Sequence, residues 1–206
     1  MVDTDVEAVV PLHRICFPDY FVTELGPKFL SILYSESLHE IALVAVDGDG
    51  RLLGYHLSFI RPSRTFVRLM ARRGPQFLMA SLPTAAQGLN KALKVAGALT
   101  RPTWRMPKGS AICMYTAVSP DARGRGVARK LLVAMRAAAI DRGIESLFGE
   151  NEDDSKLCAL YESVGFRRHD IITAPDGTRK VRMLMDLRDV VVPSAERALS
   201  IDAPSI

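Results

Sequence analysis

The spacing of apolar residues along the chain predicts an alternation of helices and strands. Helical spacing occurs over residues 5–16 and 27–38. Short apolar runs at 41–46 and 51–60 predict a hairpin, because Asp47-Gly-Asp-Gly50 between them favours a turn. Residues 61–108 break this rhythm: five prolines punctuate one or two helical stretches, at about 65–71 and 84–99.

The second half of the chain has the pattern of an α/β domain. Residues 111–118 form an apolar run typical of a central strand, and a helix begins near Gly126 and ends at Gly143. The remaining predicted elements are a strand at 145–149, a helix at 155–164 and two hairpin strands at 166–173 and 180–187. Strands that alternate with helices predict a mixed α/β sheet with parallel pairing across the helical crossovers.

Composition narrows the class of protein. The 206 residues are 48% hydrophobic and 24% charged, which excludes a disordered chain, a collagen and a disulfide miniprotein. Cys16, Cys113 and Cys158 form no CxxC pair or Cys/His cluster, so we expect neither a disulfide framework nor a metal site. The acidic start, the reducing compartment that these cysteines indicate and the absence of a long apolar run predict a cytoplasmic protein.

The segment from Val118 to Leu132 carries the clearest chemical signal. A strand end, a glycine-bearing turn and a helix start follow one another, and a helix start presents unpaired N–H groups and the positive end of a dipole. Gly124 and Gly126 allow a ligand close to the backbone, and nearby arginines add positive charge. These features predict a diphosphate site. Taken alone, they also fit a helix cap with surface arginines.

Two motifs resemble those of the GCN5-related N-acetyltransferases, the GNAT superfamily. Arg123-x-x-Gly126-x-Ala128, preceded by Val118-x-Pro120, resembles the family's acetyl-CoA motif. Downstream, Leu160-Tyr161-Glu162-x-x-Gly165-Phe166 resembles its second motif. The chain departs from the family at Asp154, where Asn is usual, and at Leu157, where Ala is usual. The resemblance implies a GNAT-like mixed, centrally splayed β-sheet flanked by helices, with a basic, partly helical insertion after the first hairpin.

The resemblance also implies a domain plan and a cofactor site. We expect one GNAT-like domain over residues 1–188, with 61–108 as a basic insertion and 189–206 as a flexible tail. Acetyl-CoA would be the acyl donor, with its pantetheine arm along one strand and its diphosphate on the following helix start. The cofactor-binding residues implied are Thr116, Ala117, Val118, Arg123, Gly124, Arg125, Gly126, Val127, Ala128, Arg129 and Asp154.

By the same resemblance, Tyr161 would be the general acid that protonates the leaving thiolate. A phenol with a pKa near ~10 can exchange a proton with a thiol near ~8.5. Glu150 is the leading candidate for the base, with Asp19 and Glu24 as alternatives in a loop that borders the acceptor site in this fold. His56 could also reach the site, although a lone strand histidine is more often structural. Cys158 has no paired base in sequence, so we interpret it as a packing residue.

The insertion has a one-sided charge. Residues 61–108 contain seven arginines and three lysines and no Asp or Glu, which leaves 17 basic against 23 acidic residues, a net charge of −6, in the rest of the chain. Such a segment could gather an anionic acceptor, lie on an acidic membrane surface, or pack on an acidic patch of this chain or of a second subunit in a homodimer. We expect no nucleic-acid partner, because aromatic residues are sparse and no binding motif occurs.

A looser resemblance concerns the acceptor. Phe17-Pro-Asp-Tyr-Phe-x-x-x-Leu25-Gly-Pro-Lys-Phe-Leu30-x-x-x-Tyr34, followed by the arginine-rich insertion, resembles bacterial GNAT proteins associated with surface-polysaccharide synthesis. It implies transfer of an acetyl group to the primary amine of a small acceptor, such as a nucleotide-linked amino sugar. The alternatives are a protein or peptide N-acetyltransferase, a longer-chain acyltransferase of the same fold, and a non-catalytic CoA-binding family member.

Overall fold

The structure, a computed structural model, describes residues 1–60, 62–85, 108–153, 156–173 and 179–188. The chain forms two compact units. The first comprises Met1–His39 and Arg61–Met106, and the second comprises Glu40–Ile60 and Pro107–Ile206. The residues that carry the two sequence motifs all belong to the second unit, and the basic segment contributes mainly to the first.

The first unit is helical where it is described. Its helices are α1 Val6–Cys16, α2 Phe21–Glu24, α3 Pro27–Glu36 and α4 Pro62–Ala85. Helix α1 packs on α3, and Val9, Leu30 and Tyr34 are fully buried. Inside this contact His13 Nδ1 lies 2.7 Å from Tyr34 Oη, which gives both buried polar atoms a partner. Ile15, expected on the apolar side of α1, is instead 60% exposed.

Helix α4 corrects the expected break at Pro75. The predicted stretch 65–71 is part of one continuous helix from Pro62 to Ala85, which includes Pro75 and Pro83. Local sequence opposes a mid-helix proline, but α4 packs on α3, and Leu69 is 1% exposed. This packing outweighs the local penalty. The other predicted stretch, 84–99, lies almost entirely outside the described residues.

The second unit is built on a six-stranded sheet. Its strands are β1 Ile41–Val46, β2 Leu52–Phe59, β3 Ser110–Val118, β4 Ser146–Glu152, β5 Arg167–Thr173 and β6 Arg179–Asp186. They lie in the order β1-β2-β3-β4-β6-β5. Only the β3–β4 pair is parallel among these neighbours, as the helical crossover between the two strands requires. The predicted mixed α/β sheet is confirmed.

Two helices cover one face of this sheet. They are α5, Val127–Asp141, and α6, Lys156–Ser163, and their apolar sides share one core with the strands. Leu132 and Met135 of α5 and Met183 of β6 are completely buried in that core. In β6 the residues Val181, Met183 and Met185 alternate with more exposed neighbours, so the predicted single buried face of that strand is confirmed.

The centre of the sheet opens where the parallel strands separate. The β3–β4 pairs run from Ser110↔Ser146 to Cys113↔Gly149 and end there. Beyond that point β3 continues to Val118, paired only with β2 among the described strands. Strand β4 continues to Glu152, paired with β6, three residues further than its predicted end at Gly149. The splay that the family resemblance implies is therefore present.

Two further expectations lie outside what the structure describes: the tail at 189–206 and the position of Asp154. In the described parts of the chain, no helix is both long and apolar enough to cross a membrane.

Candidate active site

The predicted diphosphate site lies at the start of α5. Gly126 is the N-cap residue, with φ +75°, and Gly124 has φ +76°. These left-handed conformations favour glycine. A Cβ added at either residue would meet no heavy atom within 4 Å. The backbone here is thus uncovered, and the N-cap has no side chain to accept a hydrogen bond from the first-turn N–H groups. The site fits an anion that approaches the backbone directly.

Basic side chains surround this helix start. Arg123, Arg125, Arg129 and Lys130 are exposed, whereas Val127 is buried and Ala128 half-buried. Val127 packs with Ala122 and Leu131 in a small apolar cluster, which fixes the start of α5 on the sheet. The helix dipole and the cations together make this corner attractive to a negatively charged group.

The strand residues predicted to contact the pantetheine lie beside the opening. Thr116, Ala117 and Val118 pair with His56, Tyr55 and Gly54 of β2 on one side. On the other side they lie beyond the last β3–β4 pair, where β4 pairs with β6. An extended group with amide bonds could pair with such an edge as a strand does. We call this open edge of β3, residues 116–118 beyond the last β3–β4 pair, the slot. The short segment 119–125 connects the slot with the helix start.

Tyr161 lies over the point where the parallel strands separate. The aromatic ring lies above Gly149, so close that a Cβ at Gly149 would be 2.6 Å from Tyr161 Cε1. The hydroxyl makes a hydrogen bond with Cys113, which is the β3 partner of Gly149 in the last pair. Tyr161 is 5% exposed and packs on Phe166 with a ring-centroid distance of 4.7 Å. The side chain is therefore held in one place at the end of the slot.

Glu150 approaches the same point from the other face of the sheet. It follows Gly149 in β4, and adjacent strand residues point to opposite faces. Its Oε1 accepts a hydrogen bond from Arg182 Nε at 3.1 Å, and Arg182 also pairs with Asp170 at 3.5 Å. Both side chains of the Glu150–Arg182 pair are about one-third exposed. A base at this position would therefore share its carboxylate with a guanidinium.

The other candidates have less distinctive surroundings. Asp19 and Glu24 are exposed residues of the first unit. Cys158 is 1% exposed within the apolar core, and its Sγ donates to the Glu152 carbonyl at 3.3 Å, as expected for a packing residue. Across the described ranges, no group of three or more His, Cys, Asp and Glu side chains could hold a metal ion.

Three buried polar residues near the site were not identified from sequence. Ser58 and Cys113 face each other across β2 and β3, and burial raises the pKa of the Cys113 thiol to about 12. The Nδ2 atom of Asn151 is buried without a hydrogen-bond partner among the described residues. No sequence signal indicates these residues, because strand register, rather than residue type, pairs Ser58 with Cys113 and decides which strand residues are buried.

Comparison with known proteins supports the same family. The sequence model described as "Acetyltransferase (GNAT) domain" matches residues 89–168, which include the α5 start and the Tyr161 motif. The crystal structure of ribosomal-protein-alanine N-acetyltransferase from Brucella melitensis is 16% identical, with a TM-score of 0.60 over 91% of this chain and 97% of that chain. No curated protein sequence matches this chain significantly.

Two further solved structures share the fold. An N-acetyltransferase from Staphylococcus aureus Mu50 is 14% identical, with a TM-score of 0.60 over 91% of this chain and 96% of that chain. A chimaeric spermidine N-acetyltransferase from Vibrio cholerae is 14% identical, with a TM-score of 0.57 over 91% and 93% of the two chains. At these identities the likeness establishes the fold, and the family match covers the motifs. Residues 89–168 therefore match the GNAT acetyltransferase domain, and the described fold is shared with solved N-acetyltransferases.

Proposed function

We propose that this protein transfers an acetyl group from acetyl-CoA to the primary amine of a small acceptor. The observation that carries the proposal is the opening between β3 and β4, which begins at Cys113 and Gly149 and lies beside the glycine-bearing start of α5. An open strand edge next to an uncovered helix start suits a ligand that has amide groups at one end and a diphosphate at the other.

The residues that would hold the donor follow from this placement. Backbone N–H groups between Arg123 and Ala128 would bind the diphosphate, with Arg129 adding positive charge near the helix start. The backbone of Thr116, Ala117 and Val118 would pair with the pantetheine arm. The acetyl thioester is the reactive group that acetyl-CoA supplies when it is bound. Asp154 is proposed near the pantetheine by family resemblance alone.

Two side chains would move protons. Tyr161, over the separation point, would give its phenolic proton to the leaving sulfur and would regain a proton from solvent. Glu150, on the opposite face, would take a proton from the acceptor nitrogen as that nitrogen forms its new bond to the acetyl carbon. The sulfur gains one proton and the amine loses one, so the reaction has no net uptake or release of protons. An acid and a base on opposite faces can act on two different atoms without neutralising each other.

The acceptor class rests on the resemblance of residues 17–34 to bacterial proteins of surface-polysaccharide synthesis. The basic insertion adds support, because an anionic acceptor such as a nucleotide-linked amino sugar would be attracted to it. The similar solved structures include proteins named for acetylation of a ribosomal-protein alanine and of spermidine, so protein and polyamine acceptors are the alternatives to test. A cytoplasmic location and the homodimer alternative remain predictions from sequence.

A two-stage experiment tests the proposal. Calorimetry with acetyl-CoA should show one binding site per chain, and a panel of nucleotide amino sugars, polyamines and peptide N-termini should then release free CoA thiol with one class. Binding without turnover on any amine would support a non-catalytic CoA-binding protein. Absence of binding at millimolar acetyl-CoA would overturn both the acetyltransferase and the CoA-binding hypothesis. Faster turnover with longer acyl-CoA donors would instead identify a longer-chain acyltransferase.

A further inference from the structure

A line of polar side chains runs from Thr116 in β3 to Tyr161. Thr116 Oγ1 lies 2.8 Å from His56 Nδ1, and His56 Nε2 lies 2.6 Å from Ser58 Oγ. Cys113 in turn makes side-chain hydrogen bonds with Ser58 and with Tyr161. His56 and Ser58 are fully buried, so the bond between them is made away from solvent, whereas the bond to half-buried Thr116 is part-buried.

A β-bulge is what aligns this line. Across β2 and β3, His56 faces Thr116 and Ser58 faces Cys113, with a register shift between the two pairs. Residues 113 and 116 are three positions apart, and in a regular strand they would point to opposite faces. The extra residue in β3, Met114, restores them to the same face. The bulge lies immediately beyond Cys113, where β3 and β4 separate.

The state of His56 decides the direction of every bond in the line. Burial lowers the pKa of His56 to about 3, so the imidazole is neutral near pH 7. A neutral imidazole has one N–H, so one ring nitrogen donates and the other accepts. If Nε2 carries the proton, it donates to Ser58, Ser58 donates to Cys113, and the Cys113 thiol donates to the Tyr161 oxygen. The phenolic oxygen then accepts a hydrogen bond from the line, and its own proton points away from Cys113.

The other tautomer reverses the line. With the proton on Nδ1, Ser58 must donate to Nε2, Cys113 donates to Ser58, and Tyr161 donates to Cys113 if all the bonds are kept. The phenolic proton is then turned away from the slot. The Thr116 hydroxyl can satisfy either tautomer, because it both donates and accepts. The proposed function requires the first tautomer, since only that tautomer leaves the phenolic proton for the leaving sulfur, and a Thr116 hydroxyl that donates to Nδ1 would stabilise it.

We propose that Thr116 and His56 are positioning residues that hold the Nε2–H tautomer and, through Ser58 and Cys113, keep the proton of Tyr161 directed at the slot. This inference rests on the proposed function, in which Tyr161 is the acid. It assigns a role to a histidine that would otherwise be a structural residue of the core. It also makes the neutral thiol of Cys113 a hydrogen-bond donor and not a nucleophile.

The first test reads the tautomer directly and needs no activity. Nitrogen-15 NMR of the intact protein with labelled histidine should show a protonated Nε2 and an unprotonated Nδ1 at His56 between pH 6 and 8. His56→Gln identifies the resonance. The opposite pattern overturns the inference even if the protein acetylates an amine. If no amine is acetylated, the proposed function fails while this measurement still decides the tautomer.

The second test breaks the line at Cys113. Cys113→Ala removes the donor with little change in volume, whereas Cys113→Ser keeps a hydroxyl donor. The Ala variant should lower kcat about tenfold, the equivalent of one hydrogen bond, with an unchanged KM for acetyl-CoA. The Ser variant should recover most of that loss. Equal kcat values in the two variants, with equal thermal unfolding temperatures, would overturn the inference.

Discussion

Gly149 and Cys113, which lie on two neighbouring strands, form the immediate surroundings of the Tyr161 side chain. Gly149 leaves room for the ring, and Cys113 contacts the hydroxyl, and these two residues form the last pair of the parallel strands. The side chain is therefore placed by the point at which the sheet opens. Tyr161 is the residue at which the proposed proton transfer is best tested.

Tyr161→Phe should lower kcat about 100-fold, because it removes the proposed proton donor, while the affinity for acetyl-CoA stays nearly unchanged. Steady-state kinetics on the selected amine and calorimetry with acetyl-CoA measure the two quantities separately. The ring and its contact with Phe166 are kept, so the fold should persist. Turnover at the wild-type rate would show that Tyr161 is not the acid.

Gly149→Ala tests the close approach of the ring. The new methyl group would be 2.6 Å from Tyr161 Cε1, so the ring must move or β4 must shift. We expect a loss of about 1–3 kcal/mol in the free energy of unfolding and a fall in kcat. Gly48→Ala is the matched control, because a Cβ there meets nothing within 4 Å. Equal stability of the two variants in urea denaturation would contradict the described contact.

At the scale of the elements, the start of α5 and the open edge of β3 together form the proposed binding surface for acetyl-CoA. The helix start supplies N–H groups and positive charge, and the strand supplies a backbone edge. A short segment joins them, and we expect a mutation at the helix start to change the affinity for acetyl-CoA and to leave the contacts of Tyr161 in place. This separates cofactor affinity from proton transfer.

Gly126→Glu should abolish binding of acetyl-CoA, because a carboxylate at the helix start would repel the diphosphate and cover the backbone. Gly50→Glu is the matched control: Gly50 also has a left-handed backbone, with φ +78°, and also has open space around a Cβ. Both variants carry similar backbone strain, and only the first should lose binding in calorimetry. Retained affinity in Gly126→Glu would place the anion site elsewhere.

Helix α4 presents a basic side to solvent. Arg64, Arg68 and Arg72 are spaced four residues apart, so they lie on the same side of the helix, and Arg64 and Arg72 are exposed. Arg73 points elsewhere and pairs with Glu36 at 3.1 Å. The described part of the basic segment therefore includes both a cation paired within the protein and a stripe of cations along one side of α4.

Replacing Arg64, Arg68 and Arg72 together by Gln should raise the KM for an anionic acceptor about tenfold and weaken its salt dependence, because the local positive field is lost. The KM for acetyl-CoA should not change. A control with Arg14, Lys28 and Arg167 replaced by Gln removes the same charge from other exposed positions. Equal acceptor KM values in the two triple variants would remove α4 from acceptor recognition.

The whole molecule carries two buried neutral histidines, one in each unit. Burial lowers the pKa of His13 to about 4 and that of His56 to about 3, from an ordinary value of 6.5. The unfolded chain therefore binds more protons than the folded protein below about pH 6.5. The contribution of the two neutral histidines to the free energy of unfolding is fully present above that pH. It is lost as the pH falls through about 4 and towards 3.

The free energy of unfolding should accordingly drop by about 3 to 4 kcal/mol between pH 7 and pH 5, which urea denaturation at each pH would measure. His13→Gln and His56→Gln should each reduce this drop, because each variant lacks one of the two buried histidines. A free energy of unfolding that stays constant between pH 7 and pH 5 would contradict the buried neutral state of both histidines.

The sequence alone determined much of this protein. The alternation of apolar and polar residues in β6 predicted its buried face. The glycines at 124 and 126 predicted an uncovered helix start. Both features depend on residues that are neighbours in the chain. The strand, helix, strand order from β3 to β4 predicted the parallel pair. The Tyr161 motif was visible in the sequence for the same local reason.

Only the tertiary structure decided the rest. Helix α4 continues through Pro75 because packing on α3 outweighs a local penalty that sequence rules treat as a break. The line from Thr116 through His56 and Cys113 to Tyr161 depends on strand register and on one bulge, which no local pattern specifies. Contacts between residues far apart in sequence are set by how the strands align, so residue spacing alone could not predict them.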